Sequence, residues 1–384
     1  MSSAPAKSAV PPEPPEGSEP PRVLHDEAHG IYVVSGAREV EAVLRDDSRF
    51  SAGTLGVDSF ELRAPGDAAP LAARDTLLAS DAPVHPHLRR QLGAAFSARN
   101  VARLEATARA GFDAVMAVSA PRGTCDVIDD VCVPVGVAVM TALLGLDEAR
   151  RADVARWMRV CALCNAQSRP PWLRASFEDM TRELSEALAS LPVTSEPGLL
   201  ASLVAARDRG ELQAAQVLDL AVTVMKGAAD TTCLLVGSAL LAAQRAAGEG
   251  PPAPRSAEAL TLLLEAALRQ DSPVQLTVRE AAEEVCLAGV GIPKGTRLLL
   301  RLGATGGDPC PVSANEGASR APRHGLAFGA GSHRCPGAGL AMMQARVILE
   351  GLWRTPGVFH VDIQAMEPHG LAALRGPRHL PLRW

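Results

Sequence analysis

Residues 328–346, FGAGSHRCPGAGLAMMQAR, constrain this chain more than any other stretch. Phe328, Gly329, Gly331, His333, Cys335 and Gly337 crowd into a short loop that runs straight into a helical pattern. Glycines permit backbone conformations that side chains forbid, so the loop can fold closely around one sulfur. Cys335 stands just before the helix start, where free N–H groups and the positive dipole end favour a thiolate. A bound metal deprotonates such a thiol outright. His333, two residues earlier, can donate to an anionic group beside the metal. A single cysteine ahead of a helix is commonly a small buried hydrophobe. The full spacing F-G-x-G-x-H-x-C-x-G makes a metal ligand the better account.

The rest of the chain predicts a mainly α protein with a small β region. Residues 1–22 are rich in Pro, Ser and Glu and read as a disordered tail, leaving 23–384 as one domain. IYVVSG (31–36) reads as a strand and AREVEAVLRD as a helix. Residues 51–80 show no sustained period and read as a long loop. Helical signals follow in HPHLRRQLGAAF, ARNVARLEATARAGFDAVMA, DEARRADVARWMRV, FEDMTRELSEALASL, a long run from Leu212 to Ala246, and SAEALTLLLEAALRQ. EVCLAGVGIPKGTRLLLRL reads as short strands with a turn at Pro293-Lys294-Gly295. A loop over 303–332 precedes the last helix, PGAGLAMMQARVILEGLW.

Composition removes whole classes of function. Across 384 residues the net charge is −5, so no basic excess is available for nucleic acid. Aromatics are 3%, too few for base-stacking platforms. The hydrophobic and charged fractions, 47% and 21%, are those of a folded globular chain. The N-terminus lacks a basic region followed by an apolar core, so no secretory signal is predicted. The longest apolar stretch, Val131 to Leu146, reads as too short to span a membrane and contains Pro134 and Gly136. The expectation is a soluble cytoplasmic protein whose eight cysteines stay reduced. Cys161 and Cys164 form CALC without a second such pair, and read as small hydrophobes.

Three further patterns carry polar chemistry. His85 and Arg89 lie at i,i+4, hence on one helix face; alone, such a pair is usually solvated. GAADTT (227–232) sits inside the long helical run, where Gly227, Ala228 and Ala229 leave room for a ligand and Asp230 stands beside Thr231. Taken alone this too is weak, because Asp and Thr in helices often bond back to the backbone. Lys226, one of three lysines with Lys7 and Lys294, precedes the small residues. A lysine there packs its stem and sends its ammonium to water, or else it recognises an anionic substrate.

Together these segments resemble the cytochrome P450 family of heme-thiolate monooxygenases, most closely its soluble bacterial branch, over nearly the whole chain after the tail. The resemblance implies the single-domain P450 fold and a heme b whose axial metal ligand is Cys335. It implies cofactor contacts from His85, Arg89, Arg279 (in SPVQLTVREA) and His333 to the two propionates, with Phe328 and Gly329 in the same loop. Four donors meeting two carboxylates is a sensible clamp. It implies Asp230 and Thr231 as the catalytic pair that handles protons during oxygen activation, opposite a thiolate that pushes electron density the same way. It implies hydroxylation or epoxidation of a small lipophilic substrate, free or carrier-bound, in secondary metabolism. Lys226, Ala229 and Val274 fall at the substrate pocket, together with 52–80, 160–180, Met225 to Ala229 and Val274 to Leu276. Electrons would come from a separate ferredoxin and ferredoxin reductase, to a monomer. Two other readings stand beside this one: a heme-thiolate accessory or carrier-binding protein without oxygenase activity, and a peroxide-driven oxidase.

The chain departs from the family pattern at one network. Relatives carry Glu-x-x-Arg on the helix before the SPVQ-like segment. Here Arg269 is present, but Ala266 stands three before it and Glu265 four before. The loop that usually supplies a third member reads DPCPVSANEGASRAPRHG, with Asn315 and Glu316 near the position of the usual Arg-Phe. Arg269 therefore needs another partner: Glu265 or loop carbonyls.

Overall fold

The computed structural model describes residues 22–53, 75–165, 170–190, 198–247, 256–303, 324–355 and 359–384. The predicted tail, apart from Arg22, lies outside the described residues, as does the whole loop between Asp308 and Arg323. In chain order come β1 (Val23–Asp26), β2 (Ile31–Val34), α1 (Ala37–Arg45) and β3 (Phe50–Ser51). Then follow α2 (Val84–Gln91), α3 (Ala98–Ser119), β4 (Thr124–Asp126), a π-helical turn Val127–Cys132 and α4 (Val133–Leu144). Next are α5 (Arg151–Leu163), α6 (Pro171–Ala189), α7 (Leu199–Asp208), α8 (Ala214–Ala229), α9 (Thr231–Ala247) and α10 (Ala257–Gln270). The chain continues through β5 (Leu276–Ala281), β6 (Val285–Leu287), β7 (Val290–Ile292), β8 (Arg297–Arg301) and α11 (Ala338–Arg354). It closes with β9 (His360–Val361), β10 (Glu367–Pro368), β11 (Pro377–His379) and β12 (Pro381–Arg383).

Local chemistry sets these boundaries. Ser97 caps α3 by accepting from the Asn100 amide, and Ser256 caps α10 by accepting from Ala259. Gln213 and Gln216 form a reciprocal capping box at α8. The helix predicted over HPHLRRQLGAAF stops at Gln91, because Leu92 and Gly93 turn back to the carbonyls of Arg89 and Arg90. The long run predicted from Leu212 to Ala246 is not one helix: it breaks at Asp230 into α8 and α9. The Thr231 hydroxyl donates to the Gly227 carbonyl at 2.7 Å, across the break.

Two cores result. The larger is helical and includes Trp157, wholly buried with its indole N–H donating to Glu183 at 2.9 Å. The smaller lies under the five-stranded sheet β1-β2-β8-β5-β3 and joins Val34, Val40, Leu44, Phe50, Leu298 and Leu300. In that sheet β2 pairs with β8 in parallel, and the other pairings are antiparallel. The stretches Val127–Leu144 and Ala214–Arg245 are long and apolar enough to cross a membrane, but each is two-thirds buried inside the fold, as core helices are. That corrects the reading of the Val131–Leu146 region as too short: the π-helical turn lengthens it. The loop around Cys335 lies at the seam, with Ala330 in the β-side core and Phe328 packed against the helical one.

Candidate functional site

The Cys335 loop is held from three directions. Its own amide donates to the Phe328 carbonyl at 2.8 Å, closing the loop on itself. Gly331 has φ +69°, and a Cβ there would collide with the Leu44 carbonyl of α1. Arg89 of α2 donates to the Arg334 carbonyl from the other side. Burial pushes the Cys335 thiol above its ordinary value, while the Gly337 and Ala338 amides and the Arg89 and Arg334 guanidinium groups pull it down. The helix start predicted to favour a thiolate is therefore present, but it does not overcome desolvation without a further positive charge.

Beside the loop, His85, Arg89, Arg279 and His333 come together from three separate elements. His85 and Arg279 are 3% and 2% exposed. The rings of His85 and His333 lie 3.8 Å apart at 31°. Burial lowers the proton affinity of both rings, and neighbouring cations lower it further, leaving His333 at about 3. Burial also lowers Arg279, against the pull of Asp47 and Asp81. Asp81 is occupied elsewhere, accepting from the Ser51 hydroxyl and the Ala52 amide. His333 Nε2, Arg279 Nε and the hydroxyl of Ser80 are all buried without a hydrogen-bond partner. Buried donors are almost always satisfied. The orphaned donors of Arg279 and Ser80, beside two rings that can take up a proton when an anion arrives, fit a ligand bearing more than one carboxylate.

The break between α8 and α9 holds the second polar group. Asp230 Oδ2 accepts from Asn165 Nδ2, at the end of α5, at 3.2 Å. His369 lies within electrostatic reach of Asp230, from the turn between β10 and β11. That turn packs tightly on α9: Gly376, at φ +134°, has Leu234 where a Cβ would stand. Ala229 is buried at the end of α8, and Lys226 is half-buried, its charge felt by Asp219 and by Cys161. Val274 is half-buried and bridges to Leu374. Cys161 and Cys164 are buried, with Cys161 against Met180 at 3.8 Å.

Sequence reasoning missed Asn165, Ser80, Asp81 and Asp219, whose partners are remote in the chain. Of the pocket segments, residues 54–74 and 166–169 lie outside the described residues. Arg269 is half-buried and engaged in an interaction, so it has not drifted to an exposed, unpaired position. Glu265 keeps one carboxylate oxygen buried without a hydrogen bond, and its charge is felt by His324. His324 in turn meets the Phe328 ring edge-on at 5.0 Å.

No family model matches the chain. It is 28% identical over 314 residues to 6-deoxyerythronolide B hydroxylase of Saccharopolyspora erythraea, covering 79% of this chain and 76% of that protein. It is 27% identical over 374 residues to the cytochrome P450 monooxygenase PikC of Streptomyces venezuelae, covering 94% and 87%. The crystal structure of CalO2 superposes with a TM-score of 0.81 at 27% identity, covering 94% of this chain and 92% of that one.

Proposed function

The chain belongs to the cytochrome P450 family, and from that premise we propose that residues 23–384 form a heme-thiolate monooxygenase domain that hydroxylates or epoxidises a small lipophilic substrate of secondary metabolism. The observation that carries this reading is the set of orphaned donors beside a glycine-wrapped cysteine. Heme, the family's cofactor, supplies the redox-active iron and, through its thiolate ligand, the electron density that oxygen activation needs.

The protein's own groups then take distinct tasks. Cys335 Sγ ligates the iron, which provides the positive charge that burial of the thiol requires. His85, Arg89, Arg279 and His333 take the two propionates, and this relieves both the buried cations and the unpaired donors. Phe328 and Gly329 shape the loop around the sulfur. Thr231 offers a hydroxyl already oriented by the Gly227 carbonyl, and Asp230 holds a carboxylate steered by Asn165. This pair stores and moves protons at the broken part of the helix. Ala229 leaves space for substrate, Val274 lines the pocket from the sheet side, and Lys226 stands three residues before Ala229 on α8.

The electrons come from separate redox partners, a ferredoxin and its reductase, to a monomeric, cytoplasmic protein. The substrate is free or carrier-bound. Heme-loaded protein, supplied with such partners, NADPH and isotopically labelled O₂, is expected to place one labelled oxygen atom in product. Product labelled only from water, or formed equally without O₂, would overturn the monooxygenase reading.

A further inference from the structure

Asp219 is a buried acid that the function above leaves unused. It lies on α8 and is 4% exposed. Its Oδ2 accepts from the Leu77 backbone amide at 2.8 Å, across 142 residues of sequence. Thr223, one turn on, donates to its Oδ1 at 3.4 Å. A leucine here would be the ordinary choice for a core helix, but it would strand the Leu77 amide, and unpaired buried amides are rare because they are costly.

Leu77 opens a run that ends at His85. Along it, Leu77, Ala79 and Ser80 are buried. The Ser80 carbonyl meets the His333 ring. Asp81 is tied to β3 through Ser51 and Ala52, and its carbonyl accepts from the His85 amide at 2.9 Å. The run is thus pinned at one end to α8 and at the other to the sheet. Between the pins it carries Ser80 into the cation cluster, and just past the second pin His85 enters the same cluster, its amide held by the Asp81 carbonyl.

We propose that Asp219 is a positioning residue, a latch whose carboxylate holds the run from Leu77 to His85 against α8 and so sets the donors that grip the cofactor's carboxylates. What those donors hold rests on the heme reading; the latch itself does not.

The latch responds to pH in a defined direction. Burial raises Asp219 to about 6, against the opposing pull of Leu77, Thr223 and Lys226. Lys226, on the same helix, is the charged group that bears on it; among the described residues, α4, α5, α6 and α7 and the Leu77 run contribute none. Opening the run returns water to the carboxylate and makes ionisation easier. Ionisation therefore favours opening, and opening grows as pH rises through about 6.

The test is hydrogen exchange at the Leu77 amide in heme-loaded protein, corrected for intrinsic rates, with the rate of heme transfer to excess apomyoglobin measured in parallel. Asp219→Val removes the acceptor and is expected to raise Leu77 exchange about tenfold or more and to speed heme loss. Asp219→Asn keeps an oxygen acceptor without the charge. It should hold exchange near the wild-type value while abolishing the rise that the wild type shows between pH 5 and 7.5. Equal Leu77 exchange in wild type and Asp219→Val, or a pH-dependent rise retained in Asp219→Asn, overturns the latch. If Asp219→Val does not fold, the wild-type and Asp219→Asn pH profiles decide alone. A wild-type protein whose reduced carbon monoxide complex lacks the thiolate band would defeat the heme reading and leave the exchange result standing.

Discussion

At the scale of single residues, the proposed function divides the chemistry between Cys335 as iron ligand and Thr231 as proton carrier. Cys335 is half-buried, and only the amides of Gly337 and Ala338 and two guanidinium groups offset the desolvation of its thiol. A serine there keeps the loop geometry but cannot supply a soft anionic ligand. Cys335→Ser should therefore abolish the red-shifted Soret band of the reduced carbon monoxide complex. A normal band in that variant would remove Cys335 from the iron. Thr231 donates to Gly227, so its hydroxyl is fixed before any substrate arrives. Thr231→Ala should leave heme binding intact and divert reducing equivalents to peroxide. Asn165→Ala should act in the same direction but more weakly, because it frees Asp230 without removing it. Unchanged coupling of electron use to product in both variants would take the pair out of the proton path.

At the scale of elements, the contact of the Cys335 loop with α1 is backbone on backbone. Gly331 combines a positive φ with a neighbouring carbonyl where a side chain would start. Gly331→Ala should cost about 2 kcal/mol or more, from αL strain plus the forced shift of Leu44. Heme content in the purified protein would read it, and wild-type content would show that the loop can move away from α1. Arg269 on α10 is engaged, while Glu265 leaves an oxygen unbonded. Glu265→Ala should then be nearly neutral in stability and Arg269→Ala should lower heme content; equal losses would make Glu265 the partner after all. Much of this architecture was legible in the sequence, because periodicity and caps act locally. AREVEAVLRD, ARNVARLEATARAGFDAVMA and SAEALTLLLEAALRQ are helices close to their predicted limits. The break at Asp230 was not, because nothing local in GAADTT marks it: the hydroxyl-to-carbonyl bond that Thr231 makes also occurs inside unbroken helices, at Thr141 and Thr261. The residues of the cation cluster were found through the family resemblance, but their missing partners were not. Ser80, Asp81, Asn165 and Asp219 show their roles only through contacts with distant parts of the chain.

At the scale of the whole molecule, the cation cluster joins the two cores. His85 comes from α2 on the helical side, Arg279 from the sheet, and His333 from the loop at the seam. Without an anion, this junction buries cations and donors against one another. A ligand that supplies two carboxylates there binds the folded state and not the unfolded one, and so stabilises the whole chain. At 100 times Kd that linkage is worth about 2.7 kcal/mol, or about 3 °C in Tm at the usual unfolding entropy per residue for a chain of this length. The pH dependence follows from His85 and His333, whose proton affinities are both lowered by burial and then by neighbouring cationic groups, His333 to about 3. A depressed histidine contributes stability that is fully present above its ordinary value and is lost as pH falls below it. Cofactor-free protein should therefore lose Tm on acidification from pH 7 to 5. With heme's carboxylates at this cluster, as proposed, both protonated rings are favoured, so in the heme-loaded protein the loss is smaller and the difference in Tm between the two forms widens as pH falls. His85→Gln should reduce that widening without abolishing it, because His333 remains, and should leave heme binding measurable at pH 7. Calorimetric scans of both forms at pH 5, 6 and 7 check it. Parallel pH profiles for the heme-loaded and heme-free chains would mean that the anion the cluster awaits is not the one heme brings.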